Sequence, residues 1–241
     1  MKKNTLKIRW AFVVMTLVLT LTSCNFLTTS VNQVKTDSQT VEIKSATSAR
    51  IQLEIASGEL TVEGGGGSLM DADFQYDVDR WKPEVQYSEN GAQGELIVSQ
   101  PRVVGSGGTI NTWNLFLNNN IPIDLSINIS AGDSELNLND LDLTTLGIEN
   151  GSGTTNIDLA GNWDHDVNAT IRQNFGNLTV KLPVEMGVNI EMDTGAVNVN
   201  ANSLIVTENG YVNQAYGIAP HTLTLKLKAG SGSVTLVVPE P

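Results

Sequence analysis

The chain has 241 residues and a formal net charge of −12, with 14 Lys and Arg against 26 Asp and Glu. This acidic balance excludes nucleic acid as a partner, because nucleic-acid binding requires clustered basic side chains. The length is sufficient for one domain with a sizeable core.

Residues 1–23 have the pattern of a cleaved secretory signal peptide. Basic residues precede an apolar run over residues 10–21, which is shorter than the roughly 20 residues that span a bilayer. The run ends in Leu21-Thr-Ser-Cys24, which resembles the lipobox of bacterial lipoproteins, where the Cys becomes the lipidated N-terminus. Cys24 is the only cysteine in the sequence, so an intramolecular disulfide is excluded. We predict lipidation of Cys24 on the extracytoplasmic side of a membrane.

Removal of this leader takes away four basic residues, and 10 − 26 then gives a net charge of −16. Anionic headgroups would repel such a surface, so membrane attachment must come from the lipid on Cys24. Residues 24–39 are rich in Thr, Ser, Asn and Gln with few apolar residues, and they are predicted to be a flexible tether.

Residues 40–122 alternate apolar and polar side chains in short runs separated by turn formers. Ile51-Gln-Leu53-Glu-Ile55 and Trp113-Asn-Leu115-Phe-Leu117 are two examples. Period-2 alternation places one set of side chains on one face of a strand. Since no stretch has a helical stripe of useful length, the chain is predicted to be all-β.

Residues 123–238 repeat one phrase, in which Gly is followed after one to three residues by apolar-x-apolar. The phrase begins at Gly132, Gly153, Gly176, Gly195 and Gly232. A strand pattern with a period near twenty residues predicts a single-domain β-solenoid, or β-helix-like stack, whose coils share one core. Residues 239–241 form a short tail.

The corners of the coils are expected at Asn and Gly, since the chain has 24 Asn and 22 Gly and both tolerate φ > 0. The interval 201–221 breaks the rhythm and has two interpretations, a coil without its Gly or an extruded loop. In the second interpretation Tyr211 and Tyr216 are candidates for an interaction surface.

Motifs in the first half of the chain carry a family resemblance. They are Leu69-Met-Asp-Ala-Asp-Phe-Gln-Tyr76, Trp81-Lys-Pro-Glu-Val-Gln-Tyr87, Trp113-Asn-Leu115 and Ile121-Pro-Ile-Asp-Leu125. In this order, followed by the Gly-marked coils, they resemble the toast-rack family of bacterial envelope proteins, related to the C-terminal domain of LiaF-like cell-wall-stress regulators. The resemblance spans about residues 41–238. It implies a β-solenoid outside a membrane and no enzymatic residues.

Candidate chemistry is sparse, and we predict no catalytic residues, no metal site and no cofactor. Asp164-His165-Asp166 lacks a nearby second His or Cys, and metal sites need three or four converging ligands. Asp71, Asp73, Asp77 and Asp79 lack the spacing of a calcium loop and fit the solvent face of a strand. Trp81, Trp113 and Trp163 are interpreted as packing residues rather than a glycan surface.

The predicted function is that of a non-enzymatic, lipid-anchored envelope protein whose solenoid presents an interaction or adhesin-like surface. Its partners would be the membrane, through the lipid, and an envelope protein or a cell-surface glycan. One alternative is an envelope-stress-sensing domain that acts with a membrane signalling system. A glycan-active β-helix enzyme is a third reading, which the scattered basic residues disfavour.

Overall fold

A computed structural model of the chain describes residues 33–101 and 109–239, which form fifteen strands and one short 3-10 helix. The predicted signal peptide and Cys24 lie outside the described residues. The elements are β1 (Lys35–Val41), β2 (Ser48–Ile55), β3 (Glu59–Gly66), β4 (Met70–Tyr76), the 3-10 helix (Asp79–Trp81), β5 (Glu84–Asn90), β6 (Gln93–Ser99), β7 (Asn111–Asn118), β8 (Ile123–Ile129), β9 (Ser134–Asn137), β10 (Leu143–Asp158), β11 (Val167–Lys181), β12 (Gly187–Asn200), β13 (Ile205–Val206), β14 (Gly210–Val212) and β15 (Thr222–Val237). Within these ranges no helix has the length and apolarity needed to cross a membrane.

The strands form two ladders, which the long strands β10, β11, β12 and β15 join by running through both. Ladder A has the order β5, β6, β2, β8, β10, β11, β15, β12, β14, β13. Ladder B has the order β1, β4, β7, β3, β9, β10, β11, β15, β12. The central pairs are parallel, as the predicted solenoid requires, and antiparallel pairs occur only towards the ends.

One apolar core joins the inward faces of both ladders. Alternate residues of each strand point into it, so aligned strands build columns of branched side chains. In ladder A, Ile127 stacks on Leu53 and on Ile148, and all three side chains are at most 1% exposed. The predicted inward position of Leu225 is also confirmed, because it is fully buried.

A column of glycines marks the bend between the two ladders. Gly132 has φ +145°, and a Cβ there would lie 1.7 Å from the carbonyl oxygen of Gly58 in the layer below. The same close approach recurs in the layers above, at Gly153, Gly176 and Gly232. Glycine is therefore required twice over, for the backbone conformation and for the space.

Gly195 does not belong to this column, which corrects the predicted marker in β12. Val197, two residues later, is the residue aligned with Gly232 of β15. No non-glycine residue has positive φ within the described ranges, so Val197 does not adopt the conformation of the column. The phrase that starts at Gly195 matches the spacing of the repeat but not its geometry.

Spatial order differs from chain order at both ends of the stack. β15, the last strand, lies between β11 and β12 and pairs in parallel with both. Gly232 stacks directly on Gly176, at a position where no Cβ fits. If β12 took the place of β15, the side chain of Val197 would have to occupy this position. β12 therefore belongs to the last full coil, and the short strands β14 and β13 continue ladder A beyond it. At the other end, β6 and β7 lie outside β2 and β3.

Two further predictions are corrected. The Asn residues do not supply corners with φ > 0, since glycine alone has positive φ in the part of the chain that the structure describes. Instead, Asn side chains hold corners by hydrogen bonds, as when Asn118 Nδ2 donates to the carbonyl oxygens of Gly67 (3.2 Å) and Ser68 (3.3 Å).

The second correction concerns the end of the tether, because residues 35–39 are part of β1 rather than flexible. Backbone pairing with β4 fixes this polar strand. Ser38 Oγ and Thr40 Oγ1 add hydrogen bonds to Asp73 (2.5 Å) and Asp71 (2.8 Å). A strand at a sheet edge needs no apolar face when its bonds come from the backbone and from hydroxyls.

Candidate interaction surface

Residues 201–221 leave the stack between β12 and β15 as an excursion that contains β13 and β14. β14 pairs antiparallel with residues 189–191 of β12, and β13 pairs antiparallel with β14. The backbone N–H of Met192 also donates to the carbonyl oxygen of Asn209 at 3.0 Å. The interval is therefore neither a full coil nor an unpaired loop, because it forms a short antiparallel pair of strands that continues ladder A.

A buried amide fixes the excursion to the stack. The side chain of Asn213 is only 3% exposed. Its Oδ1 accepts the backbone N–H of Val188 at 2.9 Å, and its Nδ2 donates to the carbonyl oxygens of Pro183 (3.2 Å) and Met186 (2.8 Å). Because a buried amide with three partners is costly to displace, this anchor holds the excursion in one position.

The excursion exposes large apolar side chains in spite of this anchoring. The exposed fractions are 53% for Ile205, 74% for Val206, 44% for Tyr216 and 84% for Ile218. These four, which we call the excursion surface, make up half of the large apolar side chains that are exposed in the described residues. Exposed apolar side chains on a loop held by a rigid scaffold are frequent at contact sites.

The two candidate tyrosines differ in their surroundings. Tyr211 lies on β14, opposite Ile190 and Val206 in the ladder, and it is half-buried against the core. Tyr216 lies in the turn that follows and is exposed. Tyr216 therefore belongs to the excursion surface, whereas Tyr211 packs against the core.

The outer edge of ladder B adjoins this end of the stack. Residues 196–200 of β12 pair with β15, and no further strand pairs with them among the residues that the structure describes. Val197 and Val199 point towards the core but remain half-buried. The last layer of the stack thus has an open edge, which is a strand-pairing surface.

The sequence motif around His165 forms a structural corner. Its Nε2 donates to the carbonyl oxygen of Leu143 at 2.9 Å, and its Nδ1 lies 3.2 Å from Asp164 Oδ1. The bond to Leu143, with further contributions from Asp164 and Asp142, raises the pKa of His165 above its usual value. Asp166 accepts the backbone N–H of Thr222 at 2.8 Å and so serves a different contact.

The remaining candidates from the sequence also have structural roles. Trp113 is fully buried and packs edge-to-face on Phe74, with ring centroids 5.2 Å apart. Asp77 Oδ2 accepts the backbone N–H of Thr109 at 2.9 Å. Over residues 33–101 and 109–239, no group of three or more His, Cys, Asp or Glu side chains is placed to hold a metal ion.

Sequence reasoning missed the apolar members of the excursion surface. Ile205-Val206 and Ile218 do not alternate with polar residues over a useful length, so they carry no strand or helix signal. The available clue was their position, since five branched apolar residues (Leu204, Ile205, Val206, Val212 and Ile218) occur in an interval that otherwise has the composition of a turn.

The fold and its repeats define a β-solenoid built on a glycine-marked bend. The family described as "N-terminal domain of toast_rack, DUF2154" matches residues 30–181. The chain therefore belongs to the toast-rack family, as its motifs indicated. The match begins before β1 and ends at the last residue of β11, so β12 to β15 lie beyond it.

A solved structure from Clostridium sporogenes ATCC 15579, described as a "putative cell adhesion protein", is 30% identical to the chain. The two superpose with a TM-score of 0.82, over 85% of this chain and 99% of that one. A "putative adhesin" from Bacteroides fragilis NCTC 9343 is 10% identical, with a TM-score of 0.28 over 85% and 97% of the two chains. A comparison with curated proteins finds no match.

Proposed function

We propose that the chain is a non-enzymatic, adhesin-like protein of the bacterial envelope, anchored by a lipid on Cys24 and binding a surface protein through the excursion surface. The observation that carries this proposal is the exposure of Ile205, Val206, Tyr216 and Ile218 on an excursion that Asn213 fixes. The designation of the Clostridium relative as a cell adhesion protein supports the same class.

The surface is suited to a protein partner because its side chains are apolar and its scaffold is rigid. Tyrosine is enriched among the few residues that supply most of an interface's binding energy, and burial of apolar side chains such as Ile218 contributes further. A fixed surface loses little conformational entropy on binding. The net charge of −16 that the predicted mature chain would have disfavours anionic partners.

Adhesion of cells that display the full chain tests the excursion surface. Replacing Val206 and Ile218 together by Asn should reduce the number of retained cells about tenfold, the loss expected when a central apolar contact is removed. The matched control replaces Val34 and Phe175 by Asn, which are exposed apolar residues elsewhere. Equal retention by both variants would contradict the proposed surface.

The anchor is tested separately. The Cys24→Ser variant should shift the protein from the membrane fraction to the soluble fraction and abolish labelling by a fatty-acid analogue. An unlabelled wild-type chain would refute lipidation. It would leave the adhesion result intact, because binding and anchoring depend on different parts of the chain.

A further inference from the structure

Three corners of the stack form a polar groove that the proposed function does not use. Each corner follows a strand of ladder B and leads into a strand of ladder A, after β7, β9 and β10. The groove has a volume of about 530 Å³ and is lined by residues 119–120, 139–142 and 162–165. We call it the corner groove.

The base of the corner groove is rigid. Trp163 Nε1 donates to the carbonyl oxygen of Leu141 at 2.6 Å, and both side chains are buried. Gly161 lies against the Trp163 ring, where a Cβ would come within 2.8 Å of Cζ2. In the neighbouring corner, Asn118 Oδ1 accepts the backbone N–H of Asn120 at 2.8 Å. The groove is therefore preformed.

Its rim presents polar side chains that the fold does not use. Within the described ranges, no hydrogen bond involves the side chain of Asn139, Asp140 or Asn162. Deeper in the groove, His165 Nε2 lies 3.6 Å from Asp142 Oδ1. Amides, which both donate and accept, thus lie beside carboxylates, which accept.

The hydrogen-bonding groups that line the corner groove determine which kind of ligand it can bind. Asp140, Asp142 and Asp164 face a single titratable base, His165, so an anionic ligand would be repelled. A metal ion is not favoured, because no set of three ligating side chains converges here or elsewhere in the described residues. Hydroxyl groups suit the site, since each can donate to a carboxylate and accept from an amide.

We propose that the corner groove binds a neutral oligosaccharide, with the side chains of Asn139, Asp140 and Asn162 bonding to sugar hydroxyls over the base formed by Trp163 and Leu141. The ligand runs across the corners that follow β9 and β10, which are adjacent strands of ladder B. This site is separate from the excursion surface, and its failure would leave the proposed protein contact untouched.

Binding of the full chain to immobilised tetrasaccharides tests the proposal. The probes are neutral hexose, N-acetylhexosamine and uronic-acid tetrasaccharides. We expect retention on a neutral or N-acetylated probe and none on the uronic acid. Asp140→Ala combined with Asn162→Ala should weaken this binding about tenfold or more, because each lost bond to a charged or polar group removes a measurable part of the affinity.

Two controls keep the result specific. Asn168→Ala changes an exposed Asn on β11 away from the groove, and Val206→Asn with Ile218→Asn changes the excursion surface. Both should bind the probe like the wild type, and thermal melting should show that every variant is folded. Absence of binding to both neutral probes, preference for the uronic acid, or unchanged binding by the Asp140→Ala, Asn162→Ala variant would overturn the proposal.

Discussion

The middle of the stack and its C-terminal end are built from the same alternating strands, yet they differ in closure. In the middle, Ile127 is covered by a layer on each side and is 1% exposed. At the end, Met192 of β12 stacks on Leu227 of β15 and remains half-buried. Strand sequence alone therefore does not decide burial. A side chain is buried when a neighbouring layer covers it, so the end layer is left available for contact.

Charged substitutions in the two regions test this difference most strongly. Ile127→Asp should destabilise the protein by about 4 kcal/mol or more, because it leaves an unpaired charge in a closed core. Met192→Asp should cost much less, about 1–2 kcal/mol, since its carboxylate can reach water. Chemical denaturation measures both, with the outward-facing Ser126→Asp as control. Equal losses at positions 127 and 192 would remove the distinction between middle and end.

The glycine column provides the next test. Gly153 has φ +133°, and an added Cβ would lie 2.0 Å from the carbonyl oxygen of Gly132. Gly65 has φ +105° but has open space around it. Gly153→Ala should therefore lower the free energy of unfolding by about 3 kcal/mol or more. Gly65→Ala should lower it by only about 1–2 kcal/mol, which is the cost of a positive φ for a residue with a Cβ. Thermal melting compares them, and similar losses would show that close approach does not matter.

At the end region, the anchor of the excursion can be loosened locally. Asn213→Ala removes three hydrogen bonds to buried backbone groups, and we expect local opening of the excursion to become easier by about 2 kcal/mol. Hydrogen exchange should increase at residues 187–188 and 210–218 but not in β10 or β11. Asn202→Ala, an exposed position, is the control. Faster exchange throughout the stack would mean that the excursion and the middle form one cooperative unit.

The smallest effect is expected from a change of pH, through the titration of His165 at a corner of the middle region. Because folding raises the pKa of His165, its contribution to stability is complete below the unfolded value near 6.5. The contribution is lost as the pH rises through the higher folded value. Wild-type stability should thus decline slightly on going from acidic to alkaline pH across this window. His165→Ala should flatten that change, and an unchanged slope would exclude His165 as its source.

Much of the middle region could be predicted from sequence because its signals are local. The alternation around Ile127 and Leu225 identifies the inward face, and Gly132, Gly153 and Gly176 mark the bend at a regular period. These features require no knowledge of which strand lies beside which. The family resemblance agreed with them and is borne out by the match over residues 30–181.

The end region could not be predicted in the same way, because strand order is a non-local property. β12 and β15 share the same alternation. The glycine of β12, Gly195, lies two residues before Val197, which is the residue aligned with Gly232 of β15, and this mismatch indicates that β15 rather than β12 lies next to β11. Similarly, the exposure of Val206 and Ile218 reflects the absence of a covering layer, which composition does not reveal. For β1, the polar composition of residues 35–39 predicts a tether, because the partner of Ser38 on β4 lies 35 residues away in the chain.

Disulfide cross-linking tests the position of β15 between β11 and β12. In a Cys24→Ser background, Asn177→Cys with Ser233→Cys places two thiols on adjacent strands, where the wild-type side chains lie 2.7 Å apart. Asn177→Cys with Asn198→Cys places them two strands apart, beyond the roughly 7 Å reach between Cα atoms. We predict rapid oxidation of the first pair and none of the second. Cross-linking of the second pair alone would show that β12 follows β11 in space as it does in the chain, and would contradict the account.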